Sequence, residues 1–222
     1  MRSFPVYLFD VDGTLLDSAP DICGAILEVL AETPANGLDH RDLKKYIGVH
    51  LLEMFRDLLP GYGEEQYERL IGNYRRIYPA RQHRLTRVYP GVREALAALG
   101  GRKSTATTKQ TWMTRGVLKH FDLIRYFDHV QGTDGFPYKP APDVVLRSLE
   151  VFGAQPEDCL LVGDASTDME AGRRAGVKIC AVRYGYGAPE DLARWAPDYW
   201  VDDLRELVPA SGLPGSAIVE AK

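Results

Sequence analysis

The chain contains no uninterrupted run of 18 apolar residues, so no stretch of it reads as a membrane-crossing helix. Cysteine is sparse. Cys23, Cys159 and Cys180 are the only three, and no two of them form a C-x-x-C pair. That argues against a disulfide framework and fits reduced thiols in a cytoplasm. Basic residues are not in excess: 27 Lys and Arg face 31 Asp and Glu, a formal net charge of −4. This balance disfavours nucleic acid or an anionic membrane as the main partner. There is no internal repeat and no low-complexity segment. The first strand-like run begins at Val6, which leaves no room for a signal peptide. The five histidines show no metal-ligand spacing; only His50, close to Gly48, stands apart.

What is present suits a globular α/β protein. The 222 residues, 45% hydrophobic and 26% charged, suffice for one large domain or a core with an inserted module. Val6 to Phe9 reads as a buried strand and ends at two carboxylates, Asp10 and Asp12, followed by Gly13 and Thr14. Acids at the carboxyl end of a central strand sit where open α/β sheets bind ligands. One carboxylate can serve as a nucleophile, and a second can give and take the proton. Two acids near a phosphate need a cation, and Mg²⁺ suits oxygen ligands.

Ser18 to Asp21 resembles a capped helix start, and Ile22, Ile26, Val29 and Leu30 share one helical face. Leu43, Ile47, Leu51, Leu52 and Phe55 give a second stripe broken by Gly48. Tyr67, Leu70, Ile71 and Tyr74 give a third. Residues 16–85 therefore read as a helical insert between two parts of an α/β domain, 1–15 and 86–222. Beyond it, Val92 to Leu99 predicts a helix, and Lys103 to Thr108 a strand that is polar for a buried position. A helix carrying Val117 and Leu118 follows, then a short strand from Phe127 to Gln131. Pro142 opens a helix closed by Gly153, Cys159 to Val162 is a strand ending at Gly163-Asp164, Met169 to Ala175 is a helix, and Val177 to Val182 is a strand. This alternation predicts a parallel sheet. The tail from about residue 210 reads as loose.

Further candidates follow from residue type. Asp164 ends a strong strand and Asp168 lies four residues on; both can join a metal site, although Asp168 also reads as a helix cap. Lys139 precedes two prolines, in Lys139-Pro140-Ala141-Pro142, and reads either as a fixed point charge or as a solvated lysine. Thr107 and Thr108 are a phosphate cradle or a helix-capping pair. Basic residues (Lys44, Lys45, Arg56, Arg75, Arg76, Arg81, Arg84 and Arg87) concentrate in the insert and its return; most belong to a solvated face, with one or two available to an anionic substrate.

Taken in order, Asp10-Val11-Asp12-Gly13-Thr14, Thr107, Lys139-Pro140-Ala141-Pro142 and Gly163-Asp164 with Asp168 are similar to the four motifs of the haloacid dehalogenase-like superfamily. The resemblance implies a Rossmann-like core with a small helical cap, Mg²⁺, and a phosphoaspartyl intermediate. It implies that Asp10 is nucleophile and Mg²⁺ ligand, and that Asp12 is general acid/base with its backbone carbonyl on Mg²⁺. Thr107 would bind phosphate, Lys139 would bridge phosphate and nucleophile, Asp164 would ligate Mg²⁺, and Asp168 would support the metal either directly or through a neighbour. Tyr89 to Leu96 and Arg183-Tyr184-Gly185-Tyr186-Gly187 resemble phosphoglycolate phosphatases in particular. Thr108 and Ala165 depart from the Asn and Ser common at those places. The expected substrate is a small phosphorylated metabolite, 2-phosphoglycolate foremost, handled by a monomer or homodimer. Another sugar phosphate, a nucleotide, pyrophosphate or a β-phosphoglucomutase-like transfer are the alternatives.

Overall fold

A computed structural model describes residues 2–209. The tail read as loose lies outside them. The chain runs through β1 (Val6–Phe9), β2 (Leu16–Asp17), α1 (Ala19–Leu30), α2 (His40–Lys44), α3 (Leu51–Leu58) and α4 (Glu64–Ala80). It continues through β3 (Arg87–Val88), α5 (Val92–Ala98), β4 (Arg102–Thr105), α6 (Thr111–His120) and α7 (Asp143–Phe152). It finishes with β5 (Cys159–Gly163), α8 (Ser166–Ala175), β6 (Lys178–Val182), α9 (Pro189–Ala193) and β7 (Tyr199–Val201). None of the described helices is long and apolar enough to cross a membrane.

Five strands form one parallel sheet in the order β4-β1-β5-β6-β7. From β1 the chain goes to β4 on one side and later to β5 on the other, so β1 stands at the point where the winding reverses. Ligands bind at such points, beyond the carboxyl ends of the strands. Register makes this concrete. Phe9 pairs with Thr105 on one side and Val162 on the other, so the residues leaving all three strands start level. All four β1 side chains are buried, alternating between two cores. Tyr7 and Phe9 pack with α5 and α6 residues such as Leu96 and Val117, whereas Val6 and Leu8 pack with α7 and α8 residues such as Val145 and Met169.

The insert has a core of its own, built from Ile26, Leu30, Phe55, Tyr74 and Tyr78 among others and joined by Met113 of α6. Where the chain enters and leaves it, β2 and β3 pair antiparallel, Leu16 against Val88 and Asp17 against Arg87. Gly48, at φ 87°, breaks the helical stripe between α2 and α3 as expected. The buried Asp21 carboxylate spans the base of the insert. It accepts from the backbone N–H groups of Leu85 (2.9 Å) and Thr86 (2.8 Å) and from the Thr86 hydroxyl (2.8 Å).

Three sequence expectations change. Phe127 to Gln131 is not a strand. The Thr105 hydroxyl donates to the Gln131 carbonyl and accepts from its N–H, both at 2.9 Å, so a side chain replaces the ladder. The strand at 103–108 is shorter than expected and shifted back by one residue. It ends at Thr105, at the edge of the sheet, and its polar Lys103, Ser104 and Thr105 bond to residues outside the ladder. Ser18 does not cap α1 through its side chain. The Tyr186 hydroxyl instead accepts from the N–H groups of Ser18 (2.7 Å) and Ala19 (2.9 Å).

Replacing Asp21 by Ala strands two amide donors at the base of the insert. A loss of about 2–4 kcal/mol in unfolding free energy is expected. Urea denaturation checks it, and a change below about 0.5 kcal/mol would show that the tie carries no stability.

Candidate active site

Three carboxylates meet where β1 and β5 end. Asp10, Asp164 and Asp168 each present an oxygen within 4.8 Å of the others, and all three are buried. Close packing of backbone makes the approach possible. A Cβ on Gly13, which has φ 95°, would lie 2.1 Å from Asp164 Oδ2, and one on Gly163 would lie 2.4 Å from Asp168 Cγ. Asp164 accepts from Thr14 Oγ1 at 2.8 Å and from the Tyr186 N–H at 2.9 Å. Asp168 is used at both oxygens, one by the Ala165 N–H at 2.9 Å and the other by the Lys139 ammonium. Lys139 also donates to Asp10 Oδ1 (2.8 Å) and to the Ala106 carbonyl (2.9 Å).

The electrostatics are unbalanced. Three buried carboxylates share one ammonium, an excess of two negative charges. Burial pushes the Asp10 carboxyl up; Lys139 opposes that rise and Asp168 adds to it. Burial, then Asp10 and Asp168, push Asp164 well above the usual carboxylate range. Burial alone would make the Lys139 ammonium easier to deprotonate, but Asp10 and Asp168 outweigh it and hold the proton on. All-oxygen donors carrying two uncompensated charges fit a hard divalent cation. Asp10 and Asp164 have lone pairs to spare, since an ionised carboxylate offers about four acceptor sites. Asp168 is already committed to Lys139 and Ala165.

Asp12 is held apart from this cluster. Its Oδ1 accepts from Ser18 Oγ at 2.7 Å, and its Oδ2 pairs with Lys109 Nζ at 3.0 Å. Lys109 is itself buried, and its ammonium lies 4.5 Å from the centroid of the Tyr78 ring. Thr107 is buried beside Ala106, and its hydroxyl accepts from the Lys109 N–H at 3.3 Å. Thr108 turns towards the insert and donates to the Gly48 carbonyl at 3.4 Å. The seven sequence candidates therefore fall into three places: Asp10, Asp164, Asp168 and Lys139 in the charged cluster, Asp12 and Thr107 next to it, and Thr108 at the roof.

Sequence reasoning missed Lys109, Ser18, Thr14 and Tyr186 as parts of this site. Lys109 carried a readable signal, a lysine directly after the strand expected at 103–108; the observed strand ends four residues before Lys109, at Thr105. Tyr186 lies within a stretch singled out only for resemblance.

A parallel sheet with its reversal point at β1, flanked by helices and with two carboxylates leaving that strand, defines a Rossmann-like α/β fold. The chain belongs to the haloacid dehalogenase-like hydrolase family, whose profile matches residues 7–182. It is 35% identical to phosphoglycolate phosphatase 1 of Pseudomonas aeruginosa, over 92% of this chain and 78% of that one. It is 37% identical to the phosphoglycolate phosphatase of Nitrosospira multiformis, over 90% of this chain and 92% of that one. The fold superposes on the crystal structure of a predicted phosphatase from Clostridium acetobutylicum with a TM-score of 0.85, at 29% identity, covering 93% and 97% of the two chains.

Replacing Lys139 by Met leaves Asp10 and Asp168 buried without their cation. Unfolding free energy should fall by about 3–5 kcal/mol. Adding Asp168→Asn, which keeps an acceptor for Ala165, should restore roughly 1–3 kcal/mol of that. Chemical denaturation of the single and double variants measures both, and additive losses would refute a shared charge cluster.

Proposed function

We propose that the chain is a Mg²⁺-dependent phosphatase that hydrolyses a small phosphate monoester through an aspartyl-phosphate, with 2-phosphoglycolate as the leading substrate. One observation carries the reading: Asp10 is clamped by Lys139, while a second carboxyl two residues on, Asp12, is held separately by Ser18 and Lys109. One acid is thus set up as a nucleophile and the other as a proton carrier. The named relatives, both phosphoglycolate phosphatases, support the choice of substrate.

Asp10 attacks phosphorus through its free oxygen. An O–P bond forms while the bond to the leaving oxygen breaks, and Asp12 delivers the proton that oxygen needs. A water then gives its proton to Asp12 and attacks the same phosphorus, returning the Asp10 carboxylate and releasing inorganic phosphate. Lys139 and Thr107 orient the phosphoryl oxygens and oppose their charge. Asp10, Asp164 and the backbone carbonyl of Asp12 would hold Mg²⁺, with Asp168 acting through Lys139. When bound, the ion supplies the positive charge that the carboxylates lack. The insert, 16–85, acts as a cap over the remaining core, turning about the β2–β3 stitch and excluding water. The buried free thiols of Cys23, Cys159 and Cys180 support a reducing, cytoplasmic setting.

Phosphate release from 2-phosphoglycolate, hexose phosphates, nucleotides and pyrophosphate tests the reading. Release should peak on 2-phosphoglycolate and vanish with EDTA. Asp10→Asn should reduce turnover to background in a folded protein; full activity in that variant would sink the mechanism. Asp12→Asn should lose about 10²–10⁴-fold in rate, and an unchanged rate would remove its proton-transfer role.

A further inference from the structure

Arg75 of α4 lines the pocket between the insert and the strand ends, together with His50, Thr108, Lys109 and Asp12. Two other insert arginines are already tied to acids. Arg56 pairs with Glu53 and Glu64, and Arg81 pairs with Asp21 and Glu28. Among the described residues, Arg75 has neither a carboxylate nor a hydrogen-bond partner, yet it faces a shared pocket rather than the open surface. Lys109, the other cation there, is already committed to Asp12.

His50 supplies a second unused donor. Its Nδ1 accepts from the Leu52 N–H at 3.3 Å, which starts α3, so the neutral ring carries its proton on Nε2. Stacking on Tyr138, with ring centroids 3.9 Å apart, fixes the ring plane. Burial, and after it the neighbouring Arg75, push the His50 ring's pKa below its ordinary value. Much of the remaining wall is apolar, including Ile26, Met54 and Met113. Such a wall leaves sugar hydroxyls without partners, which disfavours polyol substrates.

We infer that Arg75, with His50 Nε2–H beside it, is the subsite for the carboxylate of a short phosphorylated carboxylic acid. The inference rests on the reading that the phosphoryl group sits between Asp10 and Lys139. A guanidinium fork matches a carboxylate in shape. One unpaired positive charge balances one negative charge, whereas a second phosphate would bring nearly two. Both groups line one pocket with Asp12, two residues from Asp10 in sequence, which suits a short acid.

The test compares kcat/KM for 2-phosphoglycolate and for ethyl phosphate, which lacks the carboxylate. The wild type should prefer 2-phosphoglycolate. In Arg75→Met the ratio of the two kcat/KM values should fall about 10- to 100-fold, mainly through KM. Arg75→Lys should fall in between, since it keeps charge without the fork. His50→Asn keeps a good helix cap and should lower the ratio about 3- to 10-fold. Ethyl phosphate turnover reports that each variant is folded. A wild type active on both substrates, with the ratio unchanged in Arg75→Met, overturns the subsite alone. A wild type that releases phosphate from neither overturns the phosphatase reading and the subsite with it.

Discussion

The Lys139 ammonium is fully enclosed, and its three contacts draw on three different parts of the sheet region. Asp10 follows β1, Ala106 follows β4, and Asp168 lies in the first turn of α8 beyond β5. A charge buried this deeply is costly unless every bond is satisfied. The level strand ends set by the Phe9, Thr105 and Val162 register bring those partners within reach of one side chain. A slip of one residue against β5 would move Asp168 away, and one against β4 would move the Ala106 carbonyl, leaving the ammonium short of a partner. Apolar residues replacing Lys139 and its acid partners together would serve folding at least as well, so stability alone does not account for the buried cluster.

The sequence was most readable where pattern and composition pointed the same way. Val6–Phe9 and the strand from Cys159 are apolar, short and followed by acids; the first stands as drawn and the second runs one residue further, to Gly163. The helices α1 to α4 were legible from stripes separated by turns, because their apolar residues share one local core. Legibility failed where a side chain did the work of a backbone group. Thr105 bonding both ways to Gln131 replaces a strand pairing, and no periodicity records that. Ser18 looked like a helix cap because its type and position were right. Its hydroxyl goes to Asp12, and a tyrosine from elsewhere takes its place.

The site divides into a floor and a roof with different physical characters. The floor, at the strand ends, is dense in charge, and nearly every polar atom has a partner. The roof, from the insert, is largely apolar and carries few polar groups. Reaction chemistry depends on fixed geometry and belongs to the rigid sheet. Discrimination between substrates needs only a few donors placed against an apolar wall, which a helical layer provides. The floor residues were singled out from the sequence by type and spacing, whereas which residues of the helical layer line the pocket emerged only from the structure.

The tyrosine that caps α1 has a consequence for how the chain is made. Tyr186 follows Ser18 by 168 residues. The amides that begin the first long helix therefore lack their acceptor until nearly all of the described chain has left the ribosome. The same holds for β1, whose partners β4 and β5 begin at residues 102 and 159. Contacts this distant in sequence are slow to form. During synthesis the N-terminal segment remains an incomplete part, with an apolar strand open on both edges and its first long helix uncapped, until the C-terminal half arrives.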